Sequence, residues 1–356
     1  MKNAKALLVL SDGTVFEGRP FARRGRAVGE TCFYTGVVGY QEVVTDPAWA
    51  GALVVLTHPT IGSYGVNDED NESPDVHVAG VVLKRYSRYV SNFRATGTFE
   101  EFLVKRGIVG IEGVDTRAVT VHLRDHGEMV GTIVPGDADV KSVVARLKRT
   151  RSPWETDLVK GLSASPVAKP RKTGFKVVVL NLGVSRSTLD QLAQLGCTVK
   201  VVSADASARS VLAARPDGVL LAGGPGDPRA IDYAVETVKA LLGKTPILGV
   251  GLGHLVLALA LGSGVARMKT GHRGVNYPVK RVDGGSEITV QSHSFLVDAA
   301  RLGPHVELTH VNVNDGSVEG IRSTRFVAAS VQFQPATDEM GRPNRLFTQF
   351  TGRRKT

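Results

Sequence analysis

The apolar positions of this chain fall into two rhythms. In the carboxyl-terminal half, short buried-strand runs alternate with stretches of helical spacing. Lys176–Leu180 reads as a strand, and 185–195 reads as a helix with Leu189, Leu192 and Leu195 on one side and Gly196 as its stop. Strands follow at Thr198–Val202, Gly218–Ala222 and Pro246–Val250, with helices at Ala208–Ala214 and Ala230–Leu242 between them. This alternation predicts a parallel, doubly wound sheet with its informative loops at the carboxyl ends of the strands. From about residue 265 strands return, at Glu287–Gln291 and Phe326–Phe333, so the expected sheet is mixed, extending a parallel core. The amino-terminal part lacks the alternation. Short strands at Ala6–Leu10, Leu53–Thr57 and Val78–Val82 combine with helices at Thr98–Arg106 and Asp115–Asp125, an α+β pattern.

Between the two rhythms the composition shifts. Residues 145–174 carry Lys148, Arg149, Arg151, Lys169, Arg171 and Lys172 with Pro153, Pro166 and Pro170. Proline denies the backbone a donor and charge favours solvent, so this stretch reads as a connection. The expected organisation is an amino-terminal domain over 1–150, a linker over 151–174 and an α/β domain over 175–356.

Composition changes this picture little. The 356 residues suffice for two domains, and 42% apolar with 22% charged residues is ordinary for a globular protein. No apolar run approaches 18 residues, so no membrane helix is expected. Ala6–Leu10 is cut short by Asp12-Gly13 and reads as a strand entering a turn, not as a signal peptide. The two cysteines, Cys32 and Cys197, are too few for a disulfide framework and suit a reducing cytoplasm. Both lie in apolar segments and read as core. The formal charge of +10 would suit an acidic partner, but no aromatics interleave the basic residues, so nucleic-acid binding is not expected. The basic end, Arg353-Arg354-Lys355, reads as a frayed tail.

Candidate chemistry concentrates at Gly249-Val250-Gly251-Leu252-Gly253, between a strand and a helix. This is the spacing of a nucleophile elbow, in which outer glycines let strand and helix approach and the turn projects a central Ser or Cys over the sheet. Nearby N–H groups can then form an oxyanion hole. Here the central residue is Gly251. Taken alone, the turn fits equally a phosphate-binding helix start or a packing device.

The stretch Gly249–Leu255 resembles the G-[IV]-C-L-G-H-Q elbow of class I glutamine amidotransferases, and Gly224-Pro225-Gly226-Asp227-Pro228 resembles their N-G-P-G-D-P loop. Gly271–Lys280 is similar to the G-H-R-G-x-N-x-P-V-K segment of the carbamoyl phosphate synthetase small subunit in particular. Tyr34–Glu42, Thr45-Asp46-Pro47, Pro59–Gly62, Ser91–Arg94 and Asp115–Arg117 resemble that family's amino-terminal motifs. The resemblance runs from about residue 5 to 350. It implies an amino-terminal small-subunit domain followed by an amidotransferase-like domain.

The resemblance also implies a Cys–His–carboxylate triad that hydrolyses glutamine, and here the sequence departs from the family. The three positions are Gly251, Gln334 and Ala336, the last two within Val331-Gln-Phe-Gln-Pro-Ala336. They supply no nucleophile, no titrating shuttle and no orienting carboxylate. The glutamine-pocket positions differ as well: Ala48 replaces a hydroxyl, Leu255 a Gln, and Ser292 and Ser294 an Asn and a Gly. Gly224, Gly226, Leu252 and Phe295 remain as a substrate-binding remnant. A nucleophile relocated to Ser292 or Ser294, with His293 or His254 as base, is a minor alternative. No Cys/His cluster has metal-ligand spacing.

Three functions are therefore open. In the first, the chain cannot hydrolyse glutamine but supports or regulates a large subunit making carbamoyl phosphate from bicarbonate and ammonia, for arginine or pyrimidine biosynthesis. The resemblance places ATP and Mg on that large subunit, with no cofactor on this chain. In the second, the chain is a non-catalytic paralogue, a binding or regulatory protein. In the third, it is an active glutamine-dependent subunit acting through unexpected residues.

Overall fold

The structure, a computed structural model, describes residues 4–162 and 173–352. Two compact units emerge from the contacts: Met1–Thr156 with Lys269–Arg273, and Asp157–Met268 with Gly274–Thr356.

The first unit contains β1 (Ala6–Leu10), β2 (Val15–Ala22), β3 (Ala27–Tyr34), α1 (Tyr40–Thr45), β4 (Ala52–Leu56), β5 (Gly80–Leu83), α2 (Phe99–Lys105), β6 (Val109–Glu112), α3 (Thr116–His126), β7 (Met129–Pro135) and α4 (Val140–Leu147). The seven strands close into a barrel in the order β1-β2-β6-β5-β4-β3-β7. The all-apolar run of β1 is explained by burial on both faces. Leu8 and Leu10 join Leu53, Val55, Val82 and Ile133 in one cluster, while Leu7 and Val9 pack with Val143 and Leu147 of α4. Closure leaves no strand edge open to pairing. Helix starts follow local chemistry. Thr98 and Glu101 form a reciprocal capping box at α2, and Asp115 accepts from the Ala118 N–H at α3.

The second unit contains β8 (Lys176–Gly183), α5 (Arg186–Gln194), β9 (Thr198–Ser203), α6 (Ala208–Ala213), β10 (Gly218–Gly223), α7 (Asp232–Leu241), β11 (Ile247–Val250), α8 (Leu252–Ala260), β12 (Val265–Arg281), β13 (Ser286–Val297), β14 (Val306–Asn312), β15 (Val318–Ser323), β16 (Ala328–Val331) and α9 (Arg345–Gly352). They form one nine-stranded sheet, β13-β12-β14-β15-β16-β11-β10-β8-β9. From β16 to β9 the pairings are parallel, and β12 to β16 are joined by antiparallel pairings. The mixed α/β architecture is thus as expected. Leu189 and Leu192 of α5 and Phe347 and Phe350 of α9 pack with Val179, Leu220 and Leu248 on one face.

Three differences from the sequence reading have physical causes. The helix expected over Ala230–Leu242 is split into a 3-10 turn, Pro228–Ala230, and α7, because Asp227 caps the turn by accepting from the Arg229 N–H. Strands β12 and β13 run far longer than Glu287–Gln291 suggested, since the charged residues of β12 and the polar ones of β13 interrupt any long apolar run. The start of the expected linker is not solvated. Ser152 and Trp154 are buried, the Ser152 hydroxyl donating to Glu30 and the Trp154 indole N–H to the Ala50 carbonyl at 3.0 Å. The guanidinium of Arg273 lies 4.8 Å from the Trp154 ring centre. Pro166, Lys169, Pro170, Arg171, Lys172 and the tail Arg353-Arg354-Lys355 lie outside the described residues.

Trp154 therefore acts as a closing residue of the first unit. Trp154→Ala is expected to destabilise it by about 3–5 kcal/mol in urea unfolding. A change under about 1 kcal/mol would return the segment to a solvated linker.

Candidate active site

The carboxyl ends of β8, β10, β11 and β16 carry the candidate site. At the end of β11 the chain turns through Gly251, with φ 59° and ψ −120°, straight into α8. The Gly251 N–H donates to the carbonyl of Val331, the last residue of β16, at 3.0 Å. Strands β11 and β16 pair with Val250 opposite Val331, which aligns the elbow with the segment 332–336.

The three elbow glycines do different jobs. A Cβ on Gly253 would lie 2.1 Å from the Leu221 carbonyl oxygen of β10, and one on Gly249 would lie 2.6 Å from the Gly253 oxygen. Both positions exclude any side chain. A Cβ on Gly251 would meet nothing nearer than the Gly223 Cα at 3.7 Å. The centre of the turn thus has room for a side chain, which would point toward the loop after β10, but its backbone conformation is strained for any residue other than glycine.

Of the expected pocket residues, Leu252, Gly224 and Gly226 lie at or beside this turn. Leu252 opens α8, where first-turn N–H groups have no partner within the helix. A Cβ on Gly224 would lie 2.7 Å from Leu252 Cδ2, so the 223–228 loop rests against the helix start. Gly226 lies in the same loop. Leu255 is buried in α8, and Ser294 and Phe295 are buried in β13, whereas Ser292 is half-buried there. Ala48 belongs to the first unit, in a 3-10 turn where its N–H donates to Asp46.

Gln334 and Ala336 follow β16. The Gln334 N–H donates to the Val290 carbonyl of β13 at 2.9 Å. The Gln191 side chain donates to the Pro335 carbonyl at 2.7 Å, and Asn344 to the Ala336 carbonyl at 3.0 Å. The segment is held firmly, with Gln334 and Ala336 lining a cavity of about 680 Å³.

The two cysteines are poor substitute nucleophiles. Burial pushes the Cys32 thiol up to about 12 and the Cys197 thiol up to about 11, so neither forms a thiolate near neutrality. Cys32 sits inside β3 and Cys197 just before β9, both in the core as expected. His293 engages the Phe295 carbonyl through Nδ1 and Gln291 through Nε2. His254 is fully buried, with Nδ1 2.8 Å from the Ser330 hydroxyl and Nε2 without a partner. Burial lowers its pKa to about 3, which makes it a weak base.

The sequence reading did not anticipate the polar layer beneath the elbow. Ser330 of β16 and Gln332 just after it lie on one face with Glu319 of β15, and Glu319 accepts from Gln291 and Asn312 at 2.9 Å each. The one available signal was an acidic residue inside the apolar strand Val318–Ile321.

Comparison with known proteins follows this geometry. Residues 8–133 match the family described as carbamoyl-phosphate synthase small chain, CPSase domain, and residues 178–351 match glutamine amidotransferase class-I. The carbamoyl phosphate synthase small chain of Syntrophotalea carbinolica is 43% identical over 347 residues, covering 93% of this chain and 92% of the relative. The chain belongs to the carbamoyl phosphate synthase small-chain family. The small chain of Oceanobacillus iheyensis is 42% identical, covering 97% of this chain and 95% of its own. The pyrimidine-specific small chain of Bacillus subtilis is 38% identical with the same coverage. The small-chain family thus accounts for both units, and within it the elbow of this chain has a glycine at its centre.

Two measurements test the site. Gly253→Ala should cost more than about 3 kcal/mol or prevent folding, while Gly251→Ala should cost about 1–3 kcal/mol, the backbone strain alone. Equal losses at the two positions would refute the steric distinction.

His254 sets a pH dependence. Its folded pKa of about 3 lies below the ordinary 6.5, so between these values the unfolded chain binds a proton that the native state does not. Stability should therefore fall as pH drops from about 6.5 toward 3, by up to about 1.4 kcal/mol per pH unit. Urea unfolding of His254→Gln should show a shallower acid limb than the parent; parallel limbs would exclude His254 as its source.

Proposed function

We propose that this chain is a small-subunit homologue that does not hydrolyse glutamine and that supports or regulates a large subunit forming carbamoyl phosphate from ammonia. The observation that carries this reading is an elbow with the backbone conformation and space for a nucleophile, yet with Gly251 at its centre. Loss of a nucleophile alone lowers turnover by about 10⁶ in a well-studied hydrolase. Here Gln334 and Ala336 also offer neither a titrating shuttle nor a carboxylate. Leu255 lies buried in α8 and cannot pair with a polar substrate. Each missing hydrogen-bond partner for glutamine weakens binding by about 1–3 kcal/mol.

The partner is a carbamoyl phosphate synthetase large subunit, which would supply the ATP and Mg chemistry. The relatives' shared name, small chain, supports a heteromeric assembly, and a biosynthetic role for arginine or pyrimidines in the cytoplasm goes with it. No described helix is long and apolar enough to cross a membrane. Val37 and Val38, 63% and 61% exposed in the loop before α1, offer an apolar contact for such a partner.

The test is co-expression with the large subunit from the same genome. The pair should co-purify and make carbamoyl phosphate from ammonium but not from glutamine, and Val38→Asp should weaken co-purification without altering the fold. Glutamine-dependent synthesis would overturn the loss of hydrolysis. Failure to bind any large subunit would favour the non-catalytic paralogue.

A further inference from the structure

On the sheet face opposite α8, strands β14, β15 and β16 and helix α9 enclose a cavity of about 540 Å³. The two faces are told apart by alternation. Ser330 reaches His254 of α8, so its neighbours Ala329 and Val331 face the other way. With Leu248, Leu308 and Leu346 they give the cavity an apolar floor. The volume suits a small ligand.

Two groups of opposite charge on its wall, Arg345 and Glu287, make no direct hydrogen-bonded ion pair among the described residues. Arg345, at the start of α9, forms no ion pair among the described residues. With the Gln349 amide turned so that its oxygen faces Arg345, the Arg345 Nε donates to it at 2.8 Å, a neutral partner. The other cations are taken: Arg322 pairs with Glu307 at 2.8 Å, and Arg281 donates to Asp283 at 3.2 Å and to the Gly284 carbonyl at 3.0 Å. Glu287 of β13, 39% exposed, makes no hydrogen bond among the described residues, and the His310 Nε2 stands 3.9 Å away. Burial raises the Glu287 carboxyl above its usual range, with Arg281 and Arg345 acting against the rise. Both arginines are thus within electrostatic reach of it.

We propose that this cavity binds a free α-amino acid with an apolar side chain, its carboxylate on Arg345, its ammonium on Glu287 and its side chain on the aliphatic floor. A simple anion would meet Glu287, and a simple cation would meet the arginines. A neutral apolar molecule would desolvate both charges and pair neither. A zwitterion answers both at once. Glu287 and Arg345 also line the cavity that holds Gln334 and Ala336, so occupancy would be coupled to that segment.

The experiment is a thermal-shift titration of the full chain with L-leucine, L-valine and L-phenylalanine up to about 10 mM, where a ligand of millimolar affinity raises Tm measurably. The controls are 4-methylpentanoate, which lacks the ammonium, and isopentylamine, which lacks the carboxylate. At least one amino acid should give a saturable rise in Tm, with both controls about tenfold weaker. Glu287→Gln and Arg345→Ala should each weaken binding about tenfold while the free variants still unfold cooperatively. The proposal fails if none of the three amino acids gives a saturable shift, if either control matches its parent amino acid, or if binding survives both substitutions. Neither glutamine hydrolysis nor a large subunit enters the readout, so this test stands apart from that of the proposed function.

Discussion

The approach of α8 to the sheet governs the second unit. Gly253 lies so close to β10 that a methyl group would overlap the Leu221 carbonyl oxygen, and one on Gly249 would overlap the Gly253 carbonyl oxygen. Backbone cannot be displaced as a flexible side chain can, so these contacts fix both the depth and the direction of the helix. Once α8 is seated, its start falls beside the 223–228 loop, and Gly251 is held by the Val331 carbonyl. The placement of the elbow beside the 223–228 loop follows from these close contacts.

Two kinds of glycine therefore share one motif. Those at 249 and 253 are required by packing, whatever the chain does chemically. The one at 251 is required by nothing around it, only favoured by its own torsion angles. A motif match built on the outer glycines reports the fold of the turn, and chemistry depends on the residue between them. This separation is why family membership and catalytic capacity are different statements about this chain.

The legible parts of the structure were those written in local terms. The parallel strands β8, β10 and β11 are buried on both faces and so read as continuous apolar runs. The elbow was legible because steric exclusion leaves glycine as the residue that fits. The barrel was not, since closure depends on β7 returning to β1 across more than a hundred residues, and no local pattern encodes that pairing. Trp154 misled for the same reason: its neighbours in sequence are charged and proline-rich, whereas its neighbours in space are Ala50 and Arg273. The placement of Glu287 and Arg345 on one cavity wall was equally invisible, because residues 287 and 345 meet only in three dimensions.

The polar layer under the elbow bears on how the scaffold can persist with Gly251 at its centre. Glu319 is fully buried and accepts two side-chain hydrogen bonds, from Gln291 and Asn312. Removing one donor would leave a buried carboxylate short of a partner, a loss of about 1–3 kcal/mol or more for a charged group. Ser330 and His254 are coupled in the same way. None of these bonds involves the side chain that a nucleophile at 251 would supply. The residue at the tip can therefore change without removing any of these bonds, although His254 Nε2 and the Gln332 amide have no hydrogen-bond partner in the layer. A glycine there lowers backbone strain and leaves the neighbouring loops where packing puts them. A stable elbow is therefore expected whether or not the chain turns over glutamine, and only a kinetic measurement distinguishes the two.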